Sequence, residues 1–396
     1  MHISLDSALG QQRRLNSVGE TITQIAAPAA AYSLRSLTGG DPLVVRVRRG
    51  SDNTERDFTA SGVSSGALVN FVNGILTVGT AVNGTGAVDN YTVTGASTTG
   101  FSADNSAGGV GSAGFPYTFA DDDVMVVRYT VTNFSSTSSL SPNIRGVSAT
   151  NSTTGKTNSG TTITANGTYT DTLTATADGT HLMFADGNTG SYTISDFEIV
   201  SHSSNGFVET WYDQSDNNNN AVETTSTEQP KIVTNGSLEQ NGIKFNGSTS
   251  RLFTTNVINS TNFAIATVAK SDDNATAGIF AMLDGFNDGQ EFLFTAGAAR
   301  HHINTSDLIV SATITNKNVY FANYDGSTQL VSINGTATTQ SASTTVNVSV
   351  VSSIGFRVNT DNILNGSIEE LIVYTSDQSA NRAALETNIN SHYSIF

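Results

Sequence analysis

Residues 167–177 read GTYTDTLTATA: Tyr169, Asp171, Leu173 and Ala175 fall on one parity and threonine on the other. Side chains that alternate with a period of two belong to an extended strand with unlike faces. Comparable segments recur along most of the chain, among them VMVVRYTVTNF, SYTISDFEIV, NFAIATVAKS, NVYFANYDG and GSIEELIVYT. Val, Ile, Phe, Tyr and Thr fill them, and Gly, Asn, Asp and Ser lie between them, in the later part at intervals of roughly 8–15 residues. This pattern predicts an all-β protein built from antiparallel sandwiches of short strands.

Two segments carry a helical signal instead. SSGALVNFVN, residues 64–73, puts Leu68, Phe71 and Val72 on one side, with Ser64 or Ser65 as the cap. Near the end, SDQSANRAALETNINSHYSIF has Ser379 as N-cap and a face of Ala383, Leu385, Ile389 and Tyr393 that docks on a sheet. Residues 1–31 offer one or two turns through Leu5, Leu9 and Leu15 before Pro28; a terminal arm that packs on another subunit and a frayed terminus are both open. In LVVRVRR, residues 43–49, Leu43, Val45 and Val47 alternate with Val44, Arg46 and Arg48, which gives a strand with one basic edge or face.

Charge narrows the partners. The 396 residues carry a net −16, unevenly spread: residues 1–80 hold seven basic and six acidic side chains, residues 81–204 three and ten, and residues 205–396 eight and eighteen. The acidic regions repel phosphate backbones, which argues against nucleic acid. The near-neutral first segment is the better docking surface, with Arg46, Arg48 and Arg49 as its docking residues. Cysteine is absent, which fits folding in a reducing cytoplasm. The start, MHISLDSALGQQRRLNS, lacks the apolar core of a signal peptide, and no run approaches the ~20 apolar residues of a membrane span. The expectation is synthesis in a cytoplasm, no membrane insertion, and release on a particle or by lysis.

Three segments together carry a resemblance. AAYSLRSL, PLVVRVRRGSDNTERDF and GFVETWYDQSDNNNNAVETTSTEQPKIV resemble a pattern in bacteriophage structural proteins and in the catalytic domain of fungal α-L-arabinofuranosidase B. NGIKFNGSTSRLF through NGSIEELIVYTSDQSANRAALETNINSHY resembles the concanavalin-like or laminin-G-like sandwich of phage tail and head-fibre proteins. TANGTYTDTLTATADGTHLMFADGNTGSYTISDFEIV resembles jelly-roll carbohydrate-binding modules found on phage particles. The resemblance implies a docking arm at 1–31, a concanavalin-like sandwich at 32–73 plus 205–396, and a jelly roll at 74–204 inserted into an exposed loop. It also implies a virion protein displayed as a head fibre, decoration protein or tail adhesin. Such a protein meets other virion proteins and host-surface glycans, and phage components of this kind are commonly homotrimers.

The stretch FVETWYDQSDNNNNAV, residues 207–222, is the sharpest local signal. Trp211 belongs to a core or to the floor beneath a loop. Tyr212, Asp213, Gln214 and Asn217 suit a saccharide-binding loop, and equally a turn that only fixes strands, because Asn and Asp tolerate left-handed backbone and bond their own main chain. Tyr320 and Tyr324 are the other conceivable sugar platforms, with core packing as the competing role.

Hydrolysis of a glycoside needs two carboxyl groups across the bond. Asp213, Asp284, Glu291, Asp361, Glu369 and Glu370 are the carboxylates worth weighing, with Glu369 and Glu370 otherwise read as solvent-facing strand edges. The resemblance to the arabinofuranosidase matches Asp361, in RVNTDNILNGSIEE, to a catalytic carboxylate. It supplies no match for the nucleophile, for the disulfides or for the arabinose-binding trefoil. The favoured reading is therefore no catalysis, with the hydrolase and a purely structural capsid cement protein as alternatives. No metal centre is expected: His301 and His302 are strand neighbours and point to opposite faces. The acidic turns at 121–123, 271–274 and 284–289 leave calcium conceivable, although none has the spacing of a helix–loop–helix calcium loop.

Overall fold

Strand Phe263–Ser271 explains why the larger sandwich has three layers. Phe263, Ile265 and Ala269 enter one apolar cluster, while Ala264, Ala266 and Val268 enter another. The neighbouring strand Asn318–Tyr324 repeats the split, with Tyr320, Ala322 and Tyr324 on one side and Val319 and Phe321 on the other. A sheet apolar on both faces must be covered on both. A second sheet covers one face. Helix Arg382–Tyr393 covers the other, bringing Leu385 and Ile389 together with Ile22 from the one-turn helix Ile22–Ile25.

The computed structural model describes residues 20–84, 91–105, 111–136, 143–150, 154–186, 190–255, 257–258, 260–285, 288–344, 351–357 and 362–396. The helix-covered sheet runs Thr336–Ser341, Thr328–Ile333, Asn318–Tyr324, Phe263–Ser271 and Asn365–Tyr374, all antiparallel. Ala30–Ser33 and Ile243–Asn246 share the far edge of Asn365–Tyr374. The facing sheet runs from Glu55–Thr59 through Leu43–Arg49, Gly206–Trp211 and Ala221–Val222 to Leu252–Thr254. It continues through Ser352–Ile354, Ala277–Gly285, Asp288–Thr295 and Ala298–Ile303 to Ser306–Ser311. Trp211 and Tyr32 lie fully buried between the layers, their rings 5.5 Å apart.

Strands between residues 82 and 203 pair only with one another among the described residues. Gly167–Thr174, Val124–Ser136, Gly190–Ser203, Phe101–Asp104 and Thr92–Thr94 form a five-stranded sheet; Val82–Asn83, Gly111–Phe119, Gly179–Asp186 and Asn143–Val147 form a four-stranded one. Phe101, Phe115, Tyr129 and Phe184 fill the space between them. The alternating strand behaves as its parity requires: Asp171 and Leu173 are buried and the threonines exposed. The two ends of this segment meet, since the Ser204 N–H donates to Asn73 Oδ1 at 3.2 Å. The chain is thus all-β, with a short C-terminal helix, as the strand periodicity predicts.

Local details depart from the sequence reading. Residues 60–72 form two short helices, Ala60–Ser64 capped by the Thr59 side chain and Ala67–Val72 begun at left-handed Gly66, so neither Ser64 nor Ser65 is the cap. Asn381 precedes the last helix in place of Ser379, whose N–H and hydroxyl are both drawn to Asp377. Ala383 is exposed, and Glu386 is buried instead. Leu43 lies at the rim, 45% exposed, while Val44 and Val45 are both buried across a register shift. Leu5, Leu9 and Leu15 lie outside the described residues.

Candidate binding groove

The turn after Trp211 is committed to holding the chain. Asp213 accepts the Ala31 N–H at 2.8 Å, the Ser215 N–H at 2.9 Å, the Ser215 hydroxyl at 2.7 Å and the Asn219 N–H at 2.9 Å. Gln214 accepts the Leu37 N–H at 2.8 Å and donates to the carbonyls of Ser33 and Arg35 at 3.0 Å. Asn217 donates to the carbonyls of Pro28 and Ala29 at 3.1 and 3.2 Å. Asp216 and Asn218 take left-handed backbone, with φ of 68° and 57°, the conformation that Asp and Asn tolerate best among residues with a side chain. Asp213, Gln214 and Asn217 therefore form a clasp over residues 28–37.

Tyr212 leads to the basic strand. Its hydroxyl donates to Asp57 Oδ1 at 2.7 Å, and Arg46 grips the same carboxylate at 2.7 and 3.1 Å. Burial, reinforced by Asp57, pushes the Tyr212 phenol up to about 12. Arg49 makes a fork with Asp52 at 2.7 and 2.9 Å and donates to the Phe71 carbonyl. Arg48 is only 8% exposed. Of the three arginines, only Arg46 keeps a substantially exposed side chain, at 39%.

Glu291, Glu369 and Glu370 are likewise engaged. Glu291 is gripped by Arg357 through both oxygens, and Glu370 by Arg35, Ser33 and Tyr393. Glu369 and Glu370 are buried, not solvent-facing edges. Glu369 is the extra residue of a β-bulge, because Val268 faces Glu370 while Ala269 faces Ile368. Burial pushes its carboxyl up, against the pull of Lys317, whose ammonium lies 2.9 Å away. Asp361 lies outside the described residues. His301 faces the core against Phe263, and His302 turns to Asp307. Asp123 bonds His202, and Asp272 is bridged by Lys244 and Lys270. Among the described residues no three His, Asp or Glu side chains gather as a metal site. Tyr320 and Tyr324 are fully buried core residues, which removes them as sugar platforms.

What the sequence did not single out is a groove of about 660 Å³ where the two strand sets adjoin. The facing sheet contributes Arg48 and Phe207; strand Lys231–Thr234, paired to Gly206–Trp211 with Lys231 opposite Phe207, adds Lys231; the turns beside them add Asn53, Ser226, Thr227 and Asn246; and Asp121 and Asp178 reach it from the 82–203 segment. The Arg48 guanidinium lies 4.5 Å from the Phe207 ring centre, and the Lys231 ammonium 5.7 Å. Burial pushes the Arg48 guanidinium down, with Glu55 and Asp178 acting the other way. A second groove, of about 640 Å³, is lined by Arg35, Asp41, Ser61, Glu369, His392 and Tyr393. Gly242, at φ +84°, backs onto it; a Cβ there would meet the Glu369 backbone at 2.5 Å.

No protein-family model matches the chain, and no curated protein matches it. Among solved structures it is similar to the receptor binding domain of botulinum neurotoxin D, at 15% identity and TM-score 0.35, over 46% of this chain and 49% of that one. It is similar to the receptor binding domain of botulinum neurotoxin type G, at 13% identity and TM-score 0.35, over 46% and 48%. It is also similar to Trypanosoma rangeli sialidase in complex with sialic acid, at 13% identity and TM-score 0.35, over 47% and 32%. The chain thus spans about half the length of the neurotoxin domains, and a third of the sialidase.

Proposed function

We propose that the chain is a non-catalytic glycan-binding protein carried on a phage particle, and that the groove beside Phe207 is where it holds saccharide. In this reading residues 74–204 are a domain inserted into the sandwich of 32–73 and 205–396. Residues 1–31 and the edge bearing Arg46 dock on other virion proteins, three copies assemble, and the finished protein resides in the virion. The phage assignment is supported by the motif resemblance. The binding assignment is carried by one observation: a groove of about 660 Å³, within the usual range of ~300–1,000 Å³ for ligand sites. It combines one aromatic ring with amides and hydroxyls such as Asn53, Asn246, Ser226 and Thr227. A pyranose has an apolar face and a rim of hydroxyls, and it needs that mixture.

A glycan array probed with the purified chain tests the binding, and mass spectrometry of purified particles tests the location. A blank array together with absence from virions defeats the proposal; a blank array with retained particle binding points to a cement protein. The hydrolase reading draws on Glu369, a bulged residue with a raised pKa lining the second groove, as a general acid requires. It predicts turnover of aryl glycosides that Glu369→Gln abolishes.

A further inference from the structure

We propose that the Phe207 groove takes an anionic saccharide, one carrying a carboxylate or sulfate group, and seats that group between Arg48 and Lys231. This rests on the glycan-binding reading of the same groove.

Arg48 is the first ground. Eight other arginines sit in ion pairs: Arg35, Arg46, Arg49, Arg128, Arg251, Arg300, Arg357 and Arg382. Arg48 is buried without one among the described residues. Nε donates to Gln229 Oε1 at 2.7 Å, Nη1 to Asn53 Oδ1 at 2.7 Å and Nη2 to the Ser226 carbonyl at 3.0 Å, all neutral acceptors. A guanidinium has five N–H donors, so these bonds leave donors over. Glu55 and Asp178 act on it only through space, and a cation withdrawn from water without a direct ion pair is costly to keep.

Lys231 is the second. It stands directly across the strand pair from Lys244, and like charges in that position destabilise a sheet. Asp272 neutralises Lys244, whereas no ion pair is found for Lys231 among the described residues. Two cations without a salt-bridge partner among the described residues thus flank one aromatic ring, in a chain of net charge −16.

Three acids also line the groove, and they narrow the ligand. Asp178 accepts the Asp121 N–H at 2.9 Å, and Glu239 accepts the Thr234 hydroxyl at 2.5 Å. Carboxylates accept from sugar hydroxyls and repel a bare polyanion. The arrangement therefore favours a ligand with both an acidic group and free hydroxyls.

The test measures binding of the full chain to three probes: hyaluronan oligosaccharides for carboxylate, sulfated dextran oligosaccharides for sulfate, and unmodified dextran oligosaccharides as the neutral control. The expected result is binding of at least one acidic probe over the neutral one, weakening as salt rises. Lys231→Gln should weaken that binding about tenfold, the equivalent of ~1.4 kcal/mol, without lowering Tm, since it also removes the repulsion with Lys244, and Lys231→Arg should restore it. Comparable binding of neutral and acidic probes, or wild-type affinity in Lys231→Gln, overturns the inference. Binding of the neutral probe alone does so too, yet leaves the glycan reading standing. No binding to any of the three, with a blank glycan array, removes both.

Discussion

The clasp at 212–219 and the groove at Phe207 use the same kinds of side chain for opposite ends. In the clasp, Asp213 alone accepts four hydrogen bonds and Gln214 makes three, so its polar capacity is turned inward. In the groove, Arg48 keeps donors to spare and Lys231 has no ion pair among the described residues. The lesson concerns satisfaction. A run of Asn, Asp and Gln marks a place where hydrogen bonds are made, and only the partners reveal whether the chain itself has already taken them.

The largest expected effect breaks the clasp. Asp213→Ala strips the N–H groups of Ala31, Ser215 and Asn219 of their acceptor and should cost about 3 kcal/mol in urea unfolding, with saccharide affinity unchanged. A loss of affinity at intact stability would reverse the roles assigned to the two regions. Next comes Asp52, one turn away from Arg48 but fully partnered. Burial pushes its carboxyl up; the Arg49 fork and the Thr54 donors outweigh that and bring it down to about 2. A depressed carboxyl stabilises the fold above its unfolded pKa of ~3.9, and that contribution is lost as pH falls from there through about 2. Asp52→Asn should remove about 1 kcal/mol at neutral pH, after allowance for solvent screening, and flatten acid unfolding in that window. Smaller still is Arg46→Ala: its bridge to Asp57 is more than a third exposed on both sides, so the change should stay within ~0.5 kcal/mol while probing particle docking by co-sedimentation. Lys231→Gln should not lower the unfolding midpoint, which separates a binding residue from a structural one.

How much of this was legible follows from the range of each interaction. Strand alternation is local, so the exposed threonines and buried Asp171 and Leu173 could be read from the sequence. So could the docking face of the last helix through Leu385 and Ile389, and the left-handed positions in the Asn-rich turn. The clasp's partners lie some 180 residues away, and nothing in YDQSDNNNN names them. Ser379 looked like a cap until Asp377 competed for it. Glu369 and Glu370 looked like a solvent-facing edge because a bulge, and the bases Lys317 and Arg35 brought from elsewhere, have no local signature. Phe207, Arg48 and Lys231 were missed as a group because three separate strands bring them together.

The position of strand Asn365–Tyr374 carries a consequence for biosynthesis. It is flanked by Phe263–Ser271 on one side and by Ala30–Ser33 and Ile243–Asn246 on the other. While a ribosome is still translating, that sheet has a gap in its middle, and Ala30–Ser33 must wait more than 300 residues for its mate. The 82–203 strands, by contrast, are complete long before. The nascent chain thus carries a finished module between two halves of an unfinished one, with the edge of Phe263–Ser271 unpaired until the last strand arrives and its Ala264–Val268 row uncovered until the C-terminal helix follows.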